Sequence, residues 1–322
     1  MNAFLFPGQG TQTPGMGSFL YDNFKTAQLT FEEASDAISL DIKKLCFTGT
    51  VEELGLTENT QPALLTVSTA TARVLSKDLG LKASVTAGHS IGEYASCVYG
   101  HVLNFKDAAR AVRVRGQAMQ SAVPVGQGGM TAVLGLSEEQ VQFLCDWAVK
   151  NSDYSPLSPA NYNCNGQIVI SGNIKALDWL KANFKPEMLP GESKRAKLIP
   201  LQVSAPFHCA MMKPAQEKMQ SFLRDIHFAN SMVKIIQNIN AEVEMDGNHI
   251  KENLIEQVSA PVKWTQSMET LKSLGISNCI EVGHGSVLKG LLKKIDADFF
   301  KVYTTSSLED LKFLEKLSVT NK

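Results

Sequence analysis

The stretch Gly88-His89-Ser90-Ile91-Gly92 has the form Gly-x-Ser-x-Gly and lies between two segments of different periodicity. Residues 84–88 form a short apolar run that predicts a buried strand, and residues 91–98 predict a helix. A serine on such a sharp strand-to-helix turn is presented to substrate, and the free N–H groups at the helix start can stabilise an oxyanion. The pattern favours Ser90 as a nucleophile; a serine that only caps the helix is the alternative.

The segments on both sides of this turn predict alternating strands and helices. Residues 2–6 predict a strand, residues 61–79 a helix, and residues 107–121 a further helix with Asp107 in its first turn. Towards the C-terminus we expect strands at 234–237 and 279–282 and helices that begin at His249, Trp264 and Ser286. Such alternation is typical of an α/β domain.

A different order of elements follows the Pro- and Gly-rich break at residues 124–129. The patterns predict βαββαβ, the ferredoxin-like arrangement, with a tight Asn165-Gly166 hairpin turn between the central strands. In chain order the expected elements are a strand at 130–136, a helix at 137–150 capped by Ser137, strands at 160–163 and 167–171, a helix at 173–184 and a strand at 196–203. We therefore predict a large domain at 1–127 and 199–322 and a small inserted domain at 128–198.

A nucleophilic serine needs a general base, and the chain has six histidines. His208 is the preferred candidate because it follows a predicted strand in a loop, where catalytic side chains of α/β folds collect. His284, between two glycines, is its rival. His89 adjoins the serine, and we expect it to point away from Ser90.

Composition excludes several classes of protein. The chain has 322 residues with 44% hydrophobic content, and its 31 Lys+Arg and 32 Asp+Glu give a net charge of −1, which does not suggest a nucleic-acid binder. The N-terminus does not have the pattern of a signal peptide, and no apolar run is long enough for a membrane helix, so we expect a soluble cytoplasmic protein. Six scattered cysteines without metal spacing are expected to be reduced thiols: Cys46, Cys97, Cys145, Cys164, Cys209 and Cys279.

An ordered set of motifs resembles the malonyl-CoA:acyl-carrier-protein transacylases and the related acyltransferase domains of fatty-acid and polyketide synthases. The resemblance extends from Asn2 to about Ser307. Its motifs are Phe6-Pro7-Gly8-Gln9-Gly10, Gly88 to Tyr94, Arg115-Gly116, Asn161 to Gly172, Phe207-His208, Gln257 with Pro261-Val262-Lys263-Trp264, and Glu281-Val282-Gly283.

The resemblance implies an α/β-hydrolase-like large domain that carries a ferredoxin-like small domain, with the active site between them. It implies a Ser–His dyad in which Ser90 attacks the thioester and His208 moves the proton. No obvious third carboxylate accompanies either motif. A main-chain carbonyl at Gln257 would orient His208, and the N–H groups of Gln9 and Ile91 would form the oxyanion hole.

The substrate class depends on Arg115, which matches the family arginine that binds the free carboxylate of the malonyl group. A guanidinium pairs with a carboxylate through two parallel N–H donors, and a neutral acyl group would leave it buried and unpaired. Arg110 and Arg113 of the same helix are expected to form a solvated face. Phe207 has two equal interpretations: selection of malonyl over methylmalonyl, or packing.

One departure from the family pattern is His284, which stands where the family usually has proline and places a titratable group near the expected cleft. The resemblance implies malonyl-CoA as substrate and acyl carrier protein as partner, with no metal or redox cofactor. Carrier proteins are generally acidic, so we expect a basic docking rim. Candidates are Lys194, Arg195, Lys197, Lys289, Lys293 and Lys294.

Four other functions stay open at this level. They are a discrete acyltransferase of a polyketide assembly line, an acyl hydrolase, a simple esterase and a catalytically silent scaffold. Neither the esterase nor the scaffold explains why Arg115 accompanies Ser90 and His208. No extended apolar surface is evident, and we expect a monomer.

Overall fold

A computed structural model describes residues 2–189 and 196–320 of the chain. These residues form two β-sheets. A six-stranded sheet is parallel except for one edge strand, and a four-stranded sheet is antiparallel. The strands are β1 (Asn2–Phe6), β2 (Val85–Gly88), β3 (Gly128–Leu134), β4 (Leu157–Cys164), β5 (Gln167–Asn173), β6 (Lys197–Pro200), β7 (Lys234–Ile236), β8 (Val243–Glu244), β9 (Asn278–Glu281) and β10 (Lys301–Tyr303).

The larger sheet has the order β10-β9-β1-β2-β7-β8, and the smaller has the order β4-β5-β3-β6. Helices of the described residues are α1 (Ser18–Asn23), α2 (Lys25–Ile38), α3 (Ile42–Thr48), α4 (Val51–Gly55), α5 (Thr57–Arg73), α6 (Gly92–Tyr99), α7 (Phe105–Ser121), α8 (Glu138–Ser152), α9 (Ile174–Asn183), α10 (Lys213–Leu223), α11 (Gly247–Glu256), α12 (Trp264–Ser273), α13 (Val287–Asp296) and α14 (Leu308–Thr320). A π-helical turn, Val74–Asp78, extends α5. The prediction of a mixed α/β fold is confirmed.

Apolar residues cover both faces of the larger sheet. Phe4 and Phe6 of β1 join a core built mainly with α2, α5, α6, α7 and α10. Ala3 and Leu5 point to the opposite face, where they pack with residues of α12 and α13. Because a parallel sheet needs cover on both faces, this near-continuous apolar run places β1 at the centre. A third core forms where α8 and α9 pack on the smaller sheet.

The two sheets meet along β4. The N–H of Tyr162 donates to the carbonyl of Val262 over 2.9 Å, and the N–H of Val262 donates to the carbonyl of Ala160 over 2.8 Å. These bonds fix the smaller sheet to the segment that leads into α12. The smaller sheet is therefore anchored through β4 to the part of the chain that carries α12.

Most predicted elements occur within a few residues of their expected bounds, but some differ. The helix expected from residue 61 begins at Thr57, and the strand expected to reach residue 203 ends at Pro200. Helices α1–α4 and α10 escaped prediction. Helices α1, α3 and α4 are short, but α2 and α10 have 14 and 11 residues and carry a clear apolar face that the sequence analysis missed. One signal was present, since Thr50 and Glu53 form a reciprocal capping box that starts α4.

The six cysteines are all buried free thiols. Within residues 2–189 and 196–320, every helix is too short or too polar to cross a membrane.

Candidate active site

Ser90 lies on the tight turn between β2 and α6, as the sequence pattern predicts. Its φ of 52° is in the left-handed region, which is strained for a residue with a side chain. The Ser90 N–H donates to Oδ1 of Asn238 over 2.8 Å, while Nδ2 of Asn238 donates to the carbonyl of Gly88 over 2.7 Å. One side chain from the end of β7 thus holds both sides of the turn.

Glycines let the loop after β1 approach this turn. A Cβ at Gly88 would overlap the backbone of Gly92, and a Cβ at Gly92 would overlap the carbonyl of Phe6. Neither position can hold a side chain without movement of the main chain. The close approach brings Gln9 beside Ser90 at the edge of the same cleft.

His208 lies within hydrogen-bond reach of Ser90. Its Nε2 is 2.7 Å from Ser90 Oγ, and its Nδ1 faces the carbonyl oxygens of Gln257 at 2.9 Å and Ala260 at 3.2 Å. Carbonyl oxygens only accept, so Nδ1 carries the hydrogen and Nε2 presents its lone pair to the hydroxyl. Burial, followed by the charge of Arg115, lowers the pKa of His208 to about 3. The imidazole is therefore neutral at neutral pH.

Arg115 reaches the same point from α7. Its Nη2 donates to the side-chain oxygen of Gln257 over 2.8 Å and to Ser90 Oγ over 3.3 Å. The side chain is buried, and burial lowers its pKa. Within the described residues no carboxylate forms an ion pair with Arg115, and its Nε has no hydrogen-bond partner. The site therefore contains a buried cation that can accept an anionic group.

Two backbone N–H groups near Ser90 come from Gln9, which lines the same cleft, and from Ile91, which follows Ser90 in the chain. Among the hydrogen bonds of the described residues, none has the N–H of Gln9 or of Ile91 as its donor. The imidazole of His89 is held by another side chain, since its Nε2 lies 2.9 Å from Oδ1 of Asn163. The N–H groups of Gln9 and Ile91 are thus available to a negatively charged oxygen.

A cleft of about 400 Å³ connects these groups. Strand residues of the smaller sheet line one side, among them Met130, Asn161 and Val169, and the loops that follow β1 and β2 contribute Gln9 and Ser90. Phe207, which is only 7% exposed, lies in the wall beside His208. The structure therefore brings Ser90, His208, Arg115, Gln9 and Phe207 to one cavity between the sheets, with Gln257 beneath them.

Comparison with known proteins agrees with this geometry. Residues 3–302 match the model of the family described as the acyl transferase domain. The chain belongs to the acyl transferase family. It is 42% identical over 294 residues to the malonyl CoA-acyl carrier protein transacylase of Bacillus subtilis, covering 91% of this chain and 90% of that protein. The resemblance drawn from the motifs is confirmed.

Solved structures of similar acyltransferases have the same fold. The malonyl CoA-acyl carrier protein transacylase of Clostridium perfringens is 36% identical with a TM-score of 0.92, covering 99% of this chain and 98% of that one. A malonyl-transacylase solved in complex with its type II polyketide acyl-carrier protein is also 36% identical, with a TM-score of 0.89 and coverage of 98% and 99%.

A carboxylate of the Gly88 to Tyr94 motif supports the site of this acyltransferase, a role that the sequence analysis did not assign to it. Glu93, one helical turn after Ser90, is buried and accepts the N–H of Asn238 over 3.0 Å as well as a bond from Nε2 of Gln257. That same Nε2 donates to the Ser90 carbonyl over 2.9 Å. Burial raises the pKa of Glu93 to about 7. Glu93 does not touch His208; it supports the groups that hold Ser90 and Arg115.

Two expectations about side chains need correction. Arg113 is only partly exposed: its Nη1 donates to the carbonyl of Glu58 over 2.7 Å and to Oδ1 of Asn59 over 2.6 Å. His284 bonds Oγ1 of Thr13 through Nε2 over 2.7 Å and does not line the cleft. Arg110 is exposed as expected. The glycine–histidine–glycine turn thus places its imidazole outside the candidate site, and His284 is excluded as the partner of Ser90.

Proposed function

We propose that this acyltransferase moves the malonyl group of malonyl-CoA to the phosphopantetheine thiol of an acyl carrier protein, through an ester on Ser90. The observation that carries the proposal is the position of Arg115, whose Nη2 lies 3.3 Å from Ser90 Oγ inside the cleft. A malonyl group has a carboxylate at one end and a thioester at the other, so it can meet both side chains at once. The names of the similar proteins support the same substrate and partner.

In the first half-reaction Ser90 is the nucleophile and His208 is the general base. Ser90 Oγ attacks the thioester carbon while Nε2 of His208 takes the hydroxyl proton. The carbonyl oxygen becomes negative, and the N–H groups of Gln9 and Ile91 stabilise it. The carbon–sulfur bond then breaks, His208 returns the proton to the CoA sulfur, and malonyl-Ser90 remains.

The second half-reaction reverses these steps with another thiol. The carrier thiol attacks the ester carbon as His208 takes its proton, the bond to Ser90 Oγ breaks, and the serine regains the proton. Over the full cycle the free enzyme is regenerated and the malonyl group passes from one thiol to another, which is a ping-pong sequence. These steps involve no change of oxidation state, and we propose no metal or redox cofactor.

Gln257 positions two of these groups in the proposal. Its main-chain oxygen lies 2.9 Å from Nδ1 of His208 and can stabilise the imidazolium, while its side chain holds Arg115. Phe207 borders the space beside the malonyl α-carbon and limits substituents there. The dyad is thereby oriented by main-chain carbonyls, and no carboxylate is required next to His208.

The two sheets suggest two structural units. We assign the six-stranded sheet, in residues 1–127 and 199–322, to an α/β-hydrolase-like unit, and residues 128–198 to a ferredoxin-like unit. The order β4-β5-β3-β6 supports the second assignment, because in a ferredoxin-like sheet the first and third strands lie at the centre. The active site then lies between the units, as Ser90 and Asn161 on opposite walls suggest.

We also propose a cytoplasmic monomer that meets its acyl carrier protein through exposed lysines. Lys197, Lys289, Lys293 and Lys294 are exposed, as such a rim requires. Lys194 and Arg195, the other candidates, lie outside the described residues. Fatty-acid synthesis is the proposed pathway; the similarity to a polyketide malonyl-transacylase makes a polyketide carrier the second candidate.

Intact-protein mass spectrometry tests the proposal. Wild type and Ser90→Ala are mixed with malonyl-CoA, acetyl-CoA or methylmalonyl-CoA, and carriers of both pathways are then added. We expect a malonyl adduct on wild type alone that moves to a carrier. Steady release of CoA without transfer would establish a hydrolase instead, and no adduct with no CoA release would overturn the proposal.

A further inference from the structure

A second cavity, of about 530 Å³, lies between α5 and α6 and shares no lining residue with the catalytic cleft. Its volume falls within the range of small-molecule sites. Each of the two helices contributes residues at spacings of three and four, which place them on one face. From α5 and its π-helical turn these are Thr69, Ala72, Arg73 and Ser76, and from α6 they are Ala95, Val98 and Tyr99.

Apolar side chains form part of the remaining wall. Leu103, Phe105 and Val233 close the cavity between the helices. Met232 lies at its border with 75% of its surface exposed, and a flexible thioether there can adapt to an occupant. The interior therefore suits an aliphatic chain.

The edge of this cavity is positively charged. Its lining residues include the cations Arg73, Lys77 and Lys82 but only one carboxylate, Glu33. Glu33 is paired with Arg73 over 2.7 Å. Lys77 and Lys82 are exposed, and neither forms an ion pair with a carboxylate of the described residues. The local charge favours an anion at the edge.

A buried hydroxyl in the lining also has no partner. Thr69 is 3% exposed, and its Oγ1 makes no hydrogen bond to any described residue. Such a group usually costs free energy unless something bonds it. The π-helical turn after α5 is a second local irregularity, and turns of this kind are frequent at functional sites.

We propose that this cavity binds an aliphatic carboxylate, with the chain between α5 and α6 and the carboxylate beside Lys77 and Lys82. The cavity offers an apolar interior and a cationic edge, and an amphipathic anion is the ligand class that uses both. The site is separate from Ser90 and does not depend on the proposed transfer reaction.

Titration calorimetry with decanoate, kept below its micelle concentration, tests this site. We expect saturable binding of one molecule per chain, weaker binding of decanol, and no binding of inorganic phosphate. The titration is repeated with CoA at saturating concentration, and decanoate affinity is expected to stay unchanged. Displacement by CoA would place decanoate in the catalytic cleft and overturn the proposal.

Surface variants test the position of the carboxylate. In the double variant Lys77→Glu/Lys82→Glu we expect decanoate affinity to fall about tenfold, because two attractive charges become repulsive. Both lysines are exposed, so the variant should fold. Lys218→Glu, an exposed position on α10, is the matched control and should bind decanoate like wild type. Equal affinity in the double variant and the control would show that the edge does not bind the anion.

Discussion

Arg115 donates from Nη2 to the side-chain oxygen of Gln257 over 2.8 Å, in an interior where it has no ion-pair partner among the described residues. The same Nη2 is 3.3 Å from Ser90 Oγ. A neutral amide holds the guanidinium in place without neutralising it. The cation thus stays available to a carboxylate, and its charge acts on the neighbouring imidazole of His208.

Replacement of Arg115 by alanine should change the choice of acyl donor. Without the guanidinium the malonyl carboxylate would be buried with no partner, so we expect kcat/KM for malonyl-CoA to fall about a hundredfold or more. Acetyl-CoA makes no such contact, so the ratio of malonyl to acetyl transfer should collapse. Stopped-flow measurement of Ser90 acylation from each donor gives the ratio.

Arg110→Ala is the matched control for this experiment, since Arg110 lies on the same helix with its side chain 54% exposed. It should retain the wild-type ratio of malonyl to acetyl transfer. If Arg115→Ala also retained that ratio, the proposed contact with the malonyl carboxylate would be wrong.

The pH dependence of acylation should reflect the low pKa of His208. Because its pKa in the folded protein is about 3, Nε2 is protonated, and so unable to act as a base, only in strong acid. We therefore expect kcat/KM to show no acid limb at the ordinary histidine value of about 6.5. A limb there would show that the imidazole titrates as an exposed histidine does.

Arg115→Met tests the electrostatic part of that shift. The arginine charge disfavours a second positive charge on His208, so its loss should raise the pKa of the imidazole and move the acid limb of acylation upwards. Acetyl-CoA serves as donor for both proteins, because it does not need the arginine. An acid limb at the same or lower pH in the variant would contradict this coupling.

Much of the site could be predicted from sequence because its chemistry lies in local motifs. The Gly-x-Ser-x-Gly turn indicates Ser90, and the ordered motifs lead to His208 and Arg115. Asn238 was missed because it bonds Ser90 across 148 residues, and only the pairing of β2 with β7 brings it there. A polar residue directly after a predicted strand was the available signal.

The partners of individual side chains were also harder to predict, because they come from elements that are distant in sequence. Arg113 looks like a surface residue from its helix position, but the start of α5 packs against it and supplies Glu58 and Asn59 as partners. Glu93 belongs to the Gly88 to Tyr94 motif, but its burial depends on the packing of α6 against elements that are distant in sequence. The burial and the partners of these two side chains depend on long-range packing, which cannot be predicted from local periodicity.

Glu93 should make stability depend on pH. Its folded pKa of about 7 is raised above an ordinary value of 4.5, so between these values the folded chain binds a proton that the unfolded chain has lost. The stability from this group is full at low pH and is lost as pH rises through about 7. The free energy of unfolding should fall by up to about 1.4 kcal/mol per pH unit in that window.

Urea denaturation of wild type and Glu93→Gln at several pH values measures this slope. The variant cannot ionise at this position, so its unfolding free energy should depend less steeply on pH than that of wild type. Glu32→Gln, at an exposed position on α2, is the control and should follow wild type. Parallel curves for Glu93→Gln and wild type would show that Glu93 is ionised throughout.

Phe207 should decide part of the selection between malonyl and methylmalonyl groups. The ring lies in the cleft wall next to His208, and its replacement by leucine opens space where an α-methyl would lie. Since one methyl group is worth about 1–3 kcal/mol, we expect Phe207→Leu to raise methylmalonyl acylation relative to malonyl at least about fivefold. Competition between the two CoA esters for Ser90, read by protein mass, gives the ratio.

Phe228→Leu separates selectivity from packing in this test. Phe228 is 7% exposed, as Phe207 is, but it does not line the cleft. Both leucine variants lose similar buried surface, so thermal denaturation should show comparable destabilisation. Only Phe207→Leu should change the acyl ratio, because only its ring borders the substrate. Equal ratios in the two variants would assign Phe207 to packing alone.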